Sequence, residues 1–254
     1  MHSTKLRKVN EPSLVENISV ASHLSQPSVV RLGPDSGILK YFSDTIFQEC
    51  GDTEVTAPQE GNSFFRGTLR DLVNHTRYGQ NDATYMTQTT LRMLGDNVEA
   101  NVPSALRRLN WLAALPDDLK PDWFWLMIGQ AKTGSPRHVD TGASSAWNLL
   151  LWGQKAWKFG SPAIALSEHR LPLKGEVFRD TSWKSFEHTQ LPGELIFTPA
   201  GWVHEVINIE PSAALTGNFV NSTNIHAAIE FAQQQNDPDR EQILRDVSAA
   251  FCGK

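Results

Sequence analysis

Apolar side chains recur at Ile38, Leu39, Phe42, Ile46 and Phe47, a spacing that predicts a helix over residues 34 to 49 behind a Pro-Asp-Ser start signal. Residues 68 to 77 and 103 to 115 predict two more helices. The period then changes. "ATYMTQTTL", "DWFWLMIGQ", "AWNLLLW", "KAWKFG", "GELIFTPAGWVHEVINIE" and "AALTGNFV" are short runs rich in β-branched and aromatic residues, and turn signals separate almost every pair. After Asn221 the helical pattern returns in "IHAAIEFAQQQ" and "DREQILRDVSAAF", joined at Asn236-Asp237-Pro238. The pattern predicts a mainly β fold with flanking helices: an N-terminal helix and strand layer over residues 1–83, a sheet-rich core over 84–220 closed as a small barrel or sandwich, and a C-terminal helix pair over 221–254.

Composition narrows the class. With 254 residues, 40% of them hydrophobic, the chain is long enough to bury a substantial core in one domain. A net charge of −5 without a Lys/Arg run argues against nucleic acid as a partner, because binding driven by phosphate neutralisation needs a basic patch. The N-terminal stretch lacks the apolar segment of a signal peptide and no window reaches the length of a membrane span, so neither secretion nor a membrane is expected. Cys50 and Cys252 are far apart, which fits a reducing, cytoplasmic setting and excludes a zinc ribbon or a disulfide framework.

The candidate chemistry lies in "PRHVDTGASSAWNLLLWGQKAW". If Gly153-Gln154 forms a two-residue hairpin loop, Trp152 lies opposite Lys155, Leu150 opposite Trp157 and Asn148 opposite Phe159. One face then holds an ammonium and an amide among Trp, Leu and Phe. A lysine there needs an anion, unless it snorkels from the strand end into water; the spacing leaves both open. Just upstream, His138 and Asp140 stand two apart, so in an extended segment they point to one side and converge on one ion, the alternative being a surface loop pair. His204, which opens a strand after the Pro-Ala-Gly turn, is the best third ligand. His188 is its rival, while His2, His23, His75, His169 and His226 read as surface or packing residues. Two histidines and one carboxylate form the facial set that leaves positions open on Fe(II), although zinc takes the same ligands.

"HVDTGASSAWNLLLWGQKAW" and the later "PGELIFTPAGWVHEVINIEPSAALTGNF" resemble the JmjC family of Fe(II)- and 2-oxoglutarate-dependent oxygenases in the cupin superfamily. The resemblance spans roughly residues 84 to 224 and is strongest to the hydroxylase branch, which includes lysyl hydroxylase JmjC proteins and the asparaginyl hydroxylase of hypoxia-inducible factor. It implies a double-stranded β-helix (jelly-roll) core, with His138, Asp140 and His204 as iron ligands and Lys155 holding the distal carboxylate of 2-oxoglutarate. It further implies that Asn148 and Thr216 lie near the cosubstrate, Asn218 beside the iron, Tyr85 on the same distal carboxylate, and Ser135 in the place of a family threonine or serine. The alternative for Asn148, Thr216 and Asn218 is that they satisfy hydrogen bonds within the barrel. Trp147, Trp152, Trp157 and Trp202 are expected in the core.

The implied activity is a dioxygenase that uses O2 and 2-oxoglutarate to hydroxylate a C–H bond of a peptide, protein or amino-acid-like small molecule, releasing succinate and carbon dioxide. Two other readings stay open: an N-methyl-lysine or N-methyl-arginine demethylase, and a non-catalytic cupin-fold binding protein. The complete ligand set with its lysine argues against the last. Substrate choice is assigned to the N-terminal layer and the loop between residues 160 and 190. Arg137 reads either as a contact for a substrate carboxylate or as an exposed loop residue, and Ile225, Ile229, Phe231, Ile243, Leu244 and Val247 suggest that the tail helices form a homodimer contact.

Overall fold

The computed structural model describes residues 7–9, 18, 23, 25–33, 35–79, 83–87, 89–95, 97–161 and 185–252. Their strands, in chain order, are β1 (Arg7–Val9), β2 (Ser28–Arg31), β3 (Glu54–Pro58), β4 (Phe64–Thr68), β5 (Tyr85–Met86), β6 (Phe124–Gly129) and β7 (Gly134–His138). There follow β8 (Ser145–Trp152), β9 (Lys155–Gly160), β10 (Ser185–Gln190), β11 (Glu194–Thr198), β12 (Val203–Asn208) and β13 (Ser212–Phe219). A seven-stranded sheet runs β1-β2-β11-β8-β13-β6-β5, and a four-stranded sheet runs β10-β9-β12-β7. All pairs are antiparallel except β1 with β2. Strands β6 to β13 alternate between the two sheets, apart from the neighbours β9 and β10 in the smaller one, in the double-stranded β-helix order of a jelly roll. β3 and β4 form a separate ribbon.

Side-chain alternation decides what each face meets. In β8, Trp147, Leu149 and Leu151 join an outer core with Phe124, Leu126, Leu195, Leu215 and the helical residues Phe42, Ile46, Leu69 and Leu72. Its other face turns Asn148 toward the interior between the sheets. A strand covered on both faces reads as an unbroken apolar run, which explains "AWNLLLW". Between the sheets, Val29 and Ile196 of the larger one pack with Trp157, Phe159, Phe186, Trp202 and Val206.

The predicted hairpin across Gly153-Gln154 does not form. β8 pairs with β11 and β13, whereas β9 pairs with β10 and β12, so the turn carries the chain from one sheet to the other. The physical reason is the central place of β8 in the larger sheet: β11 fills one edge and β13 the other, and no edge is left for β9. Gly153 takes φ +85° there, and a β-carbon would run into the Pro211 carbonyl.

The N-terminal helical stretch is continuous from Gly37–Lys40 through a π-helical turn at Tyr41–Thr45 to Ile46–Glu49, so the helix predicted over residues 34 to 49 begins at Gly37 behind Asp35 and Ser36; Pro34 lies outside the described residues. Leu69–Tyr78 is helical and opens on a capping box between Thr68 and Asp71. The single helix predicted over 103 to 115 is split into Ser104–Arg107 and a 3₁₀ turn at Trp111–Ala114. Asn110 breaks it, because its side-chain oxygen accepts from the backbone N–H groups of Leu112 and Val220. "ATYMTQTTL" shrinks to the two-residue β5 and a lone bridge at Thr90. Conversely Ser185–Gln190, expected within a loop, is strand β10.

The tail forms helices Ile225–Gln234 and Pro238–Cys252. Ile225, Ile229, Leu244 and Val247, read from sequence as a possible dimer contact, are buried within the chain against Leu112 and Val220.

Candidate metal centre

Strand β7 ends on His138, Asp140 follows in the turn before β8, and β12 places His204 directly across from His138. One ligand atom from each of His138, Asp140 and His204 lies within 4.8 Å of the others. The Nε2 atoms of His138 and His204 are each 3.9 Å from an Asp140 carboxylate oxygen, too far for a hydrogen bond and suited to an ion between them.

Both rings are oriented from behind. His138 Nδ1 sits 2.7 Å from the Pro136 carbonyl and His204 Nδ1 sits 3.0 Å from the Trp202 carbonyl, so each ring donates through Nδ1 and keeps Nε2 as an acceptor. A backbone carbonyl on the far nitrogen is how ligating histidines are held. Burial pushes the His204 imidazole below its ordinary pKa, with Asp140 opposing in part, and so favours the neutral ring that a metal needs. Asp140 Oδ2 is buried with no hydrogen-bond partner among the described residues. That orphaned lone pair, among two preset imidazoles, fits a divalent ion.

Behind the ligands a cavity of about 210 Å³ lies between the sheets, lined by Lys155, Asn148, Trp157, Trp125, Met127 and His204 among others. Lys155 is 1% exposed, and among the described residues its ammonium meets no carboxylate. It donates to Asn208 Oδ1 at 2.7 Å, and burial pushes its pKa down to about 7. The buried-lysine alternative from the sequence therefore holds, and the snorkelling one does not.

The remaining nominated residues also gather there. Tyr85, Ser135, Thr216 and Asn218 line the cavity. Burial raises the Tyr85 phenol, and a hydrogen bond with Ser135 offsets part of that. The Tyr85 ring lies 5.7 Å from Lys155 Nζ. Thr216 spends its hydroxyl on the Trp147 carbonyl at 2.7 Å, and Asn218 donates to Ser144 Oγ at 2.8 Å, so both also serve the barrel's own hydrogen bonds. Trp147, Trp157 and Trp202 are buried, as expected.

Other expectations are corrected. His188 lies away from the ligand set, paired with Glu194 at 2.9 Å. Arg137 is no exposed loop residue: it sits in β7, with its side chain 6% exposed and 3.5 Å from Glu205. His2 and His169 lie outside the described residues. Sequence reasoning missed Gln190, which donates to the Asn148 side chain at 3.3 Å and accepts from the Trp157 indole at 2.8 Å. It also missed Asn208, although strand parity set that residue on the face of His204.

No family model matches the chain. Over 134 residues it is 36% identical to the lysine-specific demethylase JMJ21 of Arabidopsis thaliana, a match to 45% of this chain and 14% of that protein. Its homologues are JmjC-domain proteins. The bifunctional arginine demethylase and lysyl-hydroxylase psr-1 of Caenorhabditis elegans is 33% identical over 130 residues, 43% of this chain and 32% of its own. The 2-oxoglutarate and iron-dependent oxygenase JMJD4 of Mus musculus is 29% identical over 141 residues, 50% and 33% respectively. The match thus takes in between 14% and 33% of these JmjC relatives' length. The His-Asp-His set in the jelly roll is suited to iron, in keeping with those names.

Proposed function

We propose that the protein is an Fe(II)- and 2-oxoglutarate-dependent dioxygenase that hydroxylates a side chain of a peptide or protein, or an amino-acid-like small molecule. One observation carries the reading: a His-Asp-His set with an unpartnered Asp140 oxygen lines a cavity that also holds a buried lysine, which among the described residues meets no carboxylate. His138, Asp140 and His204 would hold the metal, and Lys155, with Tyr85 near it, would hold the distal carboxylate of the cosubstrate. An iron ion bound there supplies the oxidising chemistry that couples decarboxylation of 2-oxoglutarate to C–H hydroxylation.

The chain's own residues set direction and charge. Asp140 offsets one of the two charges of a divalent ion, so the centre stays cationic and attracts a dianion from the mouth. Lys155 draws the dianion's far end inward, where its own burial is repaid. Trp125, Met127 and Trp157 give the cavity apolar walls that exclude water. Gln190 holds the Asn148 carbonyl oxygen and so turns the Asn148 amide N–H groups toward the cavity.

Removal of an N-methyl group from lysine or arginine is the second reading, favoured by the names of JMJ21 and psr-1. It uses the same centre, with the hydroxylated methyl lost as formaldehyde. The free thiols of Cys50 and Cys252 suit a cytoplasmic setting.

The test is an anaerobic titration of metal-free protein with Fe(II) and then 2-oxoglutarate, watching the visible metal-to-keto-acid absorption. Growth to one equivalent, lost in Asp140→Ala, is expected. Absence of the band, with tight zinc binding instead, would replace the oxygenase with another cupin chemistry or a binding protein. Formaldehyde release from methylated but not unmethylated peptides would favour demethylation.

A further inference from the structure

A buried ammonium is ordinarily neutralised by a carboxylate, yet among the described residues the group that meets Lys155 is the neutral amide of Asn208. The orientation of that amide is forced. Thr133 Oγ donates to the Gln130 carbonyl at 2.6 Å, so it faces Asn208 as an acceptor. Asn208 Nδ2 then donates to Thr133 Oγ at 3.0 Å and lies 3.3 Å from the Gln130 carbonyl, which leaves Oδ1 for Lys155. The backbone locks the same pair of segments: Asn208 N–H donates to the Thr133 carbonyl at 2.7 Å, and Lys132 N–H to the Asn208 carbonyl at 2.8 Å. Gly129 makes room, since a β-carbon there would lie 2.9 Å from Asn208 Nδ2 and collide with the Tyr85 ring.

We propose that Asn208 is a positioning residue that aims the Lys155 ammonium into the cavity while leaving its charge unpaired for the distal carboxylate of a 2-oxo acid. The proposal rests on the dioxygenase reading and deepens it. A neutral acceptor satisfies one ammonium N–H without spending the charge. An aspartate in the same place would form the ion pair internally, so a group that attracts the lysine more strongly would weaken the site. This sets Asn208 apart from a residue that merely fills space: its amide is used for polarity and for lack of charge at once.

The test compares two ligands on protein loaded with Mn(II), which does not turn over. Calorimetry would give the affinities of 2-oxoglutarate and of 2-oxopentanoate, which keeps the chelating end and lacks the distal carboxylate. Wild-type protein should prefer 2-oxoglutarate. Asn208→Asp should lower that preference by about tenfold or more, the scale of one charge-assisted hydrogen bond, with 2-oxopentanoate binding unchanged. An unaltered preference, or equal weakening of both ligands, would overturn the proposal. If Asn208→Asp does not fold, Thr133→Val frees the amide to flip: a fall in preference supports the assignment, and none overturns it. Lys155→Ala separates the layers, because an intact preference in that variant would remove the cosubstrate reading itself.

Discussion

Two histidine–carboxylate groupings lie in the jelly roll, and they differ in what closes them. His188 Nε2 is 2.9 Å from Glu194 Oε2, which also accepts the Leu191 N–H at 3.0 Å, while Arg31 reaches Glu194 Oε1 at 3.3 Å. Burial works to raise the Glu194 carboxyl, but the His188 and Leu191 bonds, with Arg31 nearby, hold it below the usual range. At the other grouping, Asp140 Oδ2 has no partner among the described residues, and the imidazoles stand off, His204 Nε2 3.9 Å from Oδ2 and His138 Nε2 3.9 Å from Oδ1. Residue type is nearly the same in both. Closure distinguishes a structural pair from a site, since an orphaned buried acceptor costs roughly 1–3 kcal/mol and persists where a ligand fills it.

The largest effect that would break this contrast is on metal affinity. Asp140→Ala should weaken Mn(II) or Fe(II) binding by at least about a hundredfold, more than loss of an outer partner to a ligand. The metal-free variant should melt no lower than wild type, because the removed carboxylate makes no hydrogen bond through Oδ2. Titration calorimetry and thermal melts report the two quantities, and retained tight binding would mean that the set is not the ligand sphere.

Lys155 extends the contrast to pH. Its pKa in the folded chain, about 7, lies below the ordinary lysine value near 10. Between those values the unfolded chain holds a proton that the folded one lacks, so stability of the metal-free protein should rise with pH across that window. Below about 7 both states are charged, the slope from this group vanishes, and its burial penalty is fully felt. Lys155→Met should remove the slope and stabilise the protein at neutral pH by about 1–4 kcal/mol. Melts from pH 6 to 10 decide it (about the window fixed by the two pKa values), and an unchanged slope would assign it to other groups.

At the closed grouping the expected profile reverses. Glu194→Ala leaves His188 and the Leu191 N–H without their acceptor, and should destabilise by about 1–3 kcal/mol in denaturant melts. Metal affinity should stay as in wild type, and a parallel loss of metal would show that the two groupings are coupled.

The His-Asp-His cluster was legible because its geometry is local. His138 and Asp140 converge through strand parity, and the Pro-Ala-Gly turn directs His204. The same parity put Asn208 beside His204 without revealing its partner, since the contact with Lys155 joins residues 53 apart. Pairing was misread at Gly153-Gln154 because a short turn suggested a local hairpin, while both edges of β8 are taken by strands distant in the chain, β11 and β13. Gln190 was hidden in a polar stretch whose strand exists only by pairing with β9. The helix over 103 to 115 failed for a tertiary reason too: Asn110 is shared with Val220, far along the chain.

The smallest effect sharpens the account of the closed pair. Among the described residues Arg31 is the charged partner that completes Glu194 from the surface, with its side chain 61% exposed against 5% for the glutamate. Water competes for the guanidinium, and an exposed ion pair contributes about 0–1 kcal/mol. The donors His188 and Leu191 instead reach the buried carboxylate through short hydrogen bonds. Arg31→Ala should therefore cost less than Glu194→Ala, at most about 1 kcal/mol, and that cost should fade in high salt. Denaturant melts at low and high ionic strength measure both. A salt-independent loss as large as that of Glu194→Ala would mean that Arg31, and not the His188 imidazole and the Leu191 amide, holds the carboxylate in place.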